Sequence, residues 1–177
     1  MTTPTLKESI KEFHDEAESH RFAKYLVSGQ ISKKAYADYL FNQYHIYKAL
    51  EEQADSIGIL ADISSIKRAD LILQDYNELG IKGKKHPTTE RYETYVKKVP
   101  VQELIAHIYV RHFGDMFGGA IIKTKVPGSG KMYEFENKKE LIEHVRAKLD
   151  ISLSGEAALV FMAATNLFEE LANEHNI

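Results

Sequence analysis

The stretch Arg111-His112-Phe113-Gly114-Asp115-Met116-Phe117-Gly118-Gly119 limits what this chain can become more than any other. It continues a run from Val101 to Val110 in which Leu104, Ile105, Ile108 and Tyr109 recur at helical spacing, so it reads as helix rather than loop. Glycine costs roughly 1 kcal/mol against alanine inside a helix, so Gly114, Gly118 and Gly119 together surrender about 3 kcal/mol of helicity. Something must compensate. Gly114 and Gly118 are four residues apart, which strips one face of side chains and lets a flat or bulky group reach the backbone. The same spacing also suits a small-residue seam where two helices cross. Asp115 favours a pocket: a carboxylate beside a bare, kinked helix face is awkward in a dry seam and useful where a polar ligand or ordered water must be held.

The remaining sequence offers that helix an all-helical setting. Thr5-Leu6-Lys7-Glu8 is a capping-box pattern that opens a first helix whose inward stripe is Leu6, Ile10, Phe13 and Ala17. A short helix from about Arg21 ends at Gly29, and Ser32 caps a long one through Tyr36, Tyr39, Leu40, Tyr47 and Leu50 to about Ile57. Ser64 starts another that stops at Gly80, and a basic turn to Pro87 leads to a helix from about Thr89 to Val99, closed by Pro100. After the glycine-rich helix, Val126-Pro127-Gly128-Ser129-Gly130 is a flexible loop. Asn137 with Glu140 caps a helix through Leu149, and a last helix runs from about Ser154 to Asn173. No strand pattern or repeat is evident, so the expectation is an all-α, single-domain bundle over residues 1–177 with about seven or eight helices.

Composition narrows the function. A length of 177 residues with 44% apolar and 28% charged content is that of one ordinary globular domain. A net charge of −3 without long like-charge runs leaves no footprint for nucleic acid. The absence of cysteine removes disulfides, thiolate nucleophiles and thiolate-held metals together. The longest uninterrupted apolar run, Ala157 to Ala164, is eight residues, against the ~20 needed to span a bilayer. With no apolar signal core at the N-terminus, the expectation is a soluble, cytoplasmic protein without a membrane partner.

The eight histidines invite a metal. No glutamate is followed by histidine three positions later and no His-Glu-x-x-His occurs, which argues against a ferritin-like di-iron site and a zincin. A nucleophile-elbow serine is also missing. What remains is a mononuclear or cofactor-borne metal. His14 is its best-placed ligand, because Glu18 lies one turn further on and can take the imidazole's other N–H. The plainer reading of His14 is a half-buried helix residue. A flat ligand that needs an axial imidazole on one side and a bare helix face on the other is a haem.

At these residues the sequence resembles the haem oxygenases. Lys7 to Glu18 is similar to the family's proximal helix, and the similarity continues in Tyr44-His45-Ile46-Tyr47-Lys48-Ala49-Leu50-Glu51-Glu52. It returns in Ala106 to Arg111 leading into Gly114-Asp115 and Gly118-Gly119, and in Leu167-Phe168-Glu169-Glu170-Leu171. The blocks fall in family order and cover essentially the whole chain. The resemblance implies haem b, iron protoporphyrin IX, as both cofactor and substrate, held between a proximal helix and a glycine-kinked distal one. It implies His14 as the iron ligand and Glu18 as its partner. Gly114, Gly118 and Gly119 would be the backbone over the haem, with Asp115 as a distal carboxylate acting through water. Tyr47, Tyr109 and Arg111 match the distal polar network; Lys7, Lys11 and Arg146 match positions that hold propionates. One departure is Ile142, four residues before Arg146, where many relatives carry lysine.

The implied reaction opens the ring at the α-meso carbon to biliverdin IXα, releasing iron and carbon monoxide. Close backbone approach would press bound O2 toward the porphyrin edge while Asp115 delivers protons. No flavin or dinucleotide fingerprint is present, so electrons would come from a ferredoxin or a flavoprotein reductase. A bilin reductase is a downstream partner in this reading, and the expected state is a monomer of the soluble bacterial, plastid or phage type, in the host cytoplasm for a phage. The competing reading is a non-catalytic haem carrier on the same bundle, which has no need of Asp115. A purely structural helical module with a glycine seam would bind no haem at all.

Overall fold

A computed structural model of the chain describes residues 3–177. Among these it forms nine α-helices and no strand: α1 (Leu6–Ser9), α2 (Lys11–Ser19), α3 (Arg21–Leu26), α4 (Lys33–Ser56), α5 (Ala69–Leu79), α6 (Pro87–Val96), α7 (Leu104–Lys123), α8 (Lys138–Arg146) and α9 (Ser154–Glu174). The 24-residue α4 is the spine. Ser32 caps it as the sequence predicts, its side chain accepting from the Ala35 amide at 3.0 Å. Tyr36, Leu40, Ile46, Tyr47 and Leu50 on this helix are almost completely buried. Each such burial is worth about 1.5–3 kcal/mol, so one helix face anchors much of the core. α4 packs against α5, α6, α7 and α9, while α7 packs on α8 and α9.

α9 closes the bundle from the other side, touching α2, α3, α6 and α7. The segment Ile151–Glu174 is long and apolar enough to cross a membrane by length and composition, an 18-residue window within it having a mean hydropathy of 1.4. Counting uninterrupted apolar residues misses this, because the adjacent pair Thr165-Asn166 breaks the run between Ala164 and Leu167 without much lowering its average. Within it Leu153, Ala157, Val160, Leu167 and Leu171 face the core.

Several boundaries depart from the sequence reading for reasons that are tertiary. The first helix keeps its capping box, Thr5 accepting from the Glu8 amide at 3.2 Å and Glu8 from the Thr5 amide at 3.3 Å. It then breaks at Ile10 (φ −107°, ψ 4°), so α1 meets the turn at Ile151–Leu153 while α2 runs along α9. Ser64 starts only a 3₁₀ turn to Ile66, and α5 begins at Ala69. Its cap is a side chain from another helix: Glu51 on α4 accepts from the Arg68 amide at 2.6 Å and the Ala69 amide at 3.0 Å. Gly80 ends α5 in the left-handed region (φ 65°) as expected. α6 starts two residues early, at Pro87, because Glu170 of α9 accepts from the Thr88 amide at 3.1 Å. Asn137 precedes α8 with φ 55° and makes no side-chain cap. α7 runs uninterrupted through all three glycines.

Glu51 does more than cap. Its Oε2 also lies 2.8 Å from Nε2 of fully buried His112 on α7, so one carboxylate ties α4, α5 and α7 together. Glu51→Ala is expected to leave two amides and an imidazole nitrogen without partners and to lower stability by about 3–5 kcal/mol. Urea unfolding of the variant at pH 7 measures this; a loss under 1 kcal/mol by the same scale would show that water replaces the carboxylate easily.

Candidate active site

Asp115 is brought to Tyr47 by the packing of α7 on α4. The Tyr47 hydroxyl lies 2.8 Å from the Arg111 carbonyl oxygen and also hydrogen-bonds the Asp115 carboxyl group. A phenol has one hydrogen, so Tyr47 donates either to the ionised Asp115 carboxylate or to the Arg111 carbonyl, and protonation of Asp115 lets it donate to Tyr47 while Tyr47 donates to Arg111. Burial pushes the Asp115 carboxyl up to about 6, against the opposing pull of Tyr47, His112, Arg111 and Arg68. A carboxyl poised there exchanges protons readily near neutral pH.

Polar side chains surround this pair. Tyr39, Gln43, Tyr47 and Glu51 recur every four residues on α4 and form one buried stripe, from which Tyr47 and Glu51 reach α7. Tyr36 and Tyr133 join it, and the hydroxyls of both, Oε1 of Gln43, Nδ1 of His112 and Nε of Arg111 are buried without a protein partner. Such groups suit a pocket that takes a polar ligand or water. Burial, followed by the charge of nearby Asp115, raises the Tyr39 hydroxyl well above its usual range. The Arg111 guanidinium lies over the Tyr92 ring, 4.2 Å from its centroid. Burial lowers His107 below the usual imidazole range, so its neutral ring donates from Nε2 to Glu156 at 2.7 Å and accepts at Nδ1 from the Tyr92 hydroxyl at 2.7 Å. Gln43, Tyr92, His107, His112, Tyr133 and Glu156 escape the sequence reading; for Gln43, the four-residue recurrence along α4 is the signal that could have found it.

The three glycines divide between two tasks. A Cβ added at Gly114 would meet nothing within 4 Å, and Gly114 is exposed. One at Gly118 would reach Ile122 Cδ1 at 3.6 Å, an ordinary contact. At Gly119 it would come within 2.8 Å of the Tyr133 ring. Gly114 and Gly118 therefore leave room beside the helix, whereas Gly119 is a packing seam, the alternative that the spacing also allowed. Tyr109, Phe113 and Phe117 form an aromatic rail on α7, with successive centroids 5.3 and 5.5 Å apart.

On α2, the His14 ring meets Phe161 of α9 edge-on at 5.7 Å. Its side chain is 53% exposed, and Nδ1 faces Asp15 at 3.3 Å and Glu18 at 3.5 Å. Nε2 is thereby the nitrogen left for a metal. Lys11 is ion-paired with Asp15 instead of standing free for a propionate. Lys7 is exposed, and Arg146, at the end of α8, acts electrostatically on Tyr109, whose hydroxyl burial raises and Arg146 lowers. Ile142 packs against the core. A flat iron macrocycle fits this donor set: an accessible imidazole on α2, bare backbone at Gly114 on α7, and α9 supporting both helices.

Comparison with known proteins gives a consistent result. The sequence model of the family described as Heme oxygenase matches residues 2–170. Heme oxygenase 1 of Rattus norvegicus is 27% identical over 204 residues, covering 94% of this chain and 70% of the relative. A heme oxygenase structure from Leptospira interrogans superposes with a TM-score of 0.82 at 26% identity, covering 93% of this chain and 97% of the other. The structure of heme oxygenase-1 from Synechocystis in complex with heme gives the same TM-score at 23% identity, over 96% and 91% of the two chains.

Two outcomes follow from the geometry. Gly114→Ala is expected to raise the stability of the haem-free protein by up to about 1 kcal/mol through helix propensity, whereas Gly119→Ala loses about 1–3 kcal/mol by overpacking against Tyr133. Thermal unfolding of the two variants decides this, and equal melting temperatures would erase the distinction. The Asp115 carboxyl binds its proton more tightly folded than unfolded, so its stabilising effect is present at low pH and is lost as pH rises through about 6. Asp115→Asn is therefore expected to gain little stability at pH 4 and up to about 3 kcal/mol at pH 8. A pH-independent difference in denaturation midpoint would show that Asp115 has an ordinary pKa.

Proposed function

The chain belongs to the haem oxygenase family, and on that premise we propose that it opens haem b oxidatively at the α-meso carbon, forming biliverdin IXα with release of ferrous iron and carbon monoxide. When bound, haem supplies both the iron at which O2 is reduced and the ring that is oxidised. His14 would hold that iron through Nε2, with its ring steadied by Phe161 and its Nδ1 by the carboxylates on α2. Gly114 and Gly118 let the macrocycle lie against the α7 backbone, a surface that side chains elsewhere on the helix would deny it. Tyr109 and Arg146, which act on one another electrostatically, would meet the polar edge of the ring, and Lys7 would add an exposed cation on α1.

The single observation that carries the enzymatic reading over the carrier is the Tyr47–Asp115 pair. A carrier gains nothing from a half-buried carboxyl held near 6, and keeping one costs stability at neutral pH. An oxygenase must deliver protons beside the iron, and this pair can hold a proton on Asp115 and receive another through Tyr47 and the unpartnered groups around it. Arg111 contributes through its backbone carbonyl, which orients Tyr47, and through its charge, which opposes the rise of Asp115.

The reading extends to partners. Electrons come from outside, from a ferredoxin or a flavoprotein reductase, and a bilin reductase would consume the product. The protein would act as a soluble cytoplasmic monomer.

The test is hemin binding followed by an external reductant under air. Loss of the Soret band with growth of a bilin band is expected for the parent. His14→Ala should lose the iron–histidine signature and regain haem ligation in part with added imidazole. Asp115→Ala should bind hemin comparably but form biliverdin at least tenfold more slowly. Bilin formation by Asp115→Ala at the parent rate would remove the proton-delivery role, and a parent that binds haem without degrading it would favour the carrier.

A further inference from the structure

The Tyr47–Asp115 pair has a buried histidine as its neighbour. His112 lies on α7, three residues before Asp115, and is fully enclosed. Its ring meets the Tyr47 ring edge-on, with centroids 4.8 Å apart. Glu51 faces its Nε2 at 2.8 Å and also accepts from the Arg68 and Ala69 amides. An ionised Glu51 accepts from all three, which puts the hydrogen of the neutral ring on Nε2 and leaves Nδ1 as the atom that gains or loses a proton. That Nδ1 is buried and has no protein partner. Tying Glu51 to α7 takes a single donor, so a second polar nitrogen is a cost of burial that a fastening role does not explain.

Resting on the reading of Asp115 as the proton donor, we propose that His112, held by Glu51, is a second proton store that refills Asp115. Reduction of O2 consumes more than one proton, whereas one carboxyl group stores one. In the refilling step the proton on Nδ1 of the charged ring passes, through the Tyr47 hydroxyl or a bridging water, to the Asp115 carboxylate. The ring is left neutral with its Nε2–H still on Glu51, Asp115 is left neutral, and no net charge is created inside the bundle. A carboxylate that orients an imidazole and stabilises its charged form is the division of labour found in hydrolytic triads. The other charged and phenolic groups that bear on Asp115 are Arg68 ahead of α5, Arg111 on α7, and Tyr36, Tyr39 and Tyr133. His112 acts on Asp115 through its charge as well, so the two titrate as a coupled pair.

Histidine-nitrogen and carboxyl-carbon NMR over a pH titration of the haem-free parent gives a readout independent of turnover. Nε2 of His112 is expected to stay protonated throughout, while Nδ1 and the Asp115 carboxyl titrate in shared steps. His112→Gln offers Glu51 an N–H in place of Nε2 but has no nitrogen that titrates. It should move the Asp115 titration to higher pH, and with haem and a reductant the parent-to-variant ratio of bilin-forming rates should grow about tenfold between pH 6 and pH 8. An Nδ1 that keeps one protonation state while Asp115 titrates overturns the proposal even where the variant folds poorly, and so does a rate ratio that is the same at both pH values. A failure of the underlying reading looks different: Asp115→Ala would form bilin at the parent rate while His112 and Asp115 of the parent still titrated together.

Discussion

The contact between the polar stripe of α4 and the α7 helix is what the remaining structure depends on. Tyr39, Gln43, Tyr47 and Glu51 are all at least nine-tenths buried, and across the interface Tyr47 meets Asp115 while Glu51 meets His112. Setting such groups inside a core is costly unless they are partnered, and several of their atoms are not. Glycines on α7 add a further cost in helicity. The bundle tolerates both because apolar residues on the same two helices, among them Leu40, Ile46, Leu50, Leu104 and Ile108, are fully enclosed. A site of this kind is a local conflict between propensity and position that the surrounding core holds in place.

How much of this is legible in the sequence depends on where each residue's partner lies. Thr5, Ser32 and Gly80 act on backbone within a few residues of themselves, and each does what its local pattern predicts. Ser64 does not, because the amides that open α5 are taken by Glu51, 17 residues earlier for Arg68. No local rule reads that pairing. Gly119 is similar: its spacing from Gly114 groups it with the pocket, while the ring that actually needs its missing Cβ, Tyr133, comes from a turn further along the chain. Lys11 shows the opposite difficulty. Its partner Asp15 is local, but a sequence pattern cannot say whether a lysine serves an i+4 carboxylate or a ligand.

The closing block of family likeness, Leu167 to Leu171, is structural. Leu167 and Leu171 are buried. Glu169 is clasped by Arg21 at 2.7 and 3.0 Å and by His20 at 2.8 Å, and Arg21 holds that carboxyl down at about 2. Glu170 caps α6 through Thr88. The two acids thus fasten α9 to α3 and α6. A likeness in this block preserves the placement of a helix, and placement is what a superposition at 26% identity records.

That placement matters because α9 touches both sides of the site. Phe161 meets the His14 ring, and Glu156, one and a half turns earlier, anchors His107 and through it Tyr92, on which Arg111 stacks. The imidazole on α2 and the polar network behind α7 are therefore referenced to one rigid element. A displacement of α9 along its axis would move the proximal ring and loosen the His107–Tyr92 support together. In the proposed reaction the separation between the iron ligand and the proton donor would govern the chemistry, and referring both to a single helix would make that separation insensitive to motions of the loops between them.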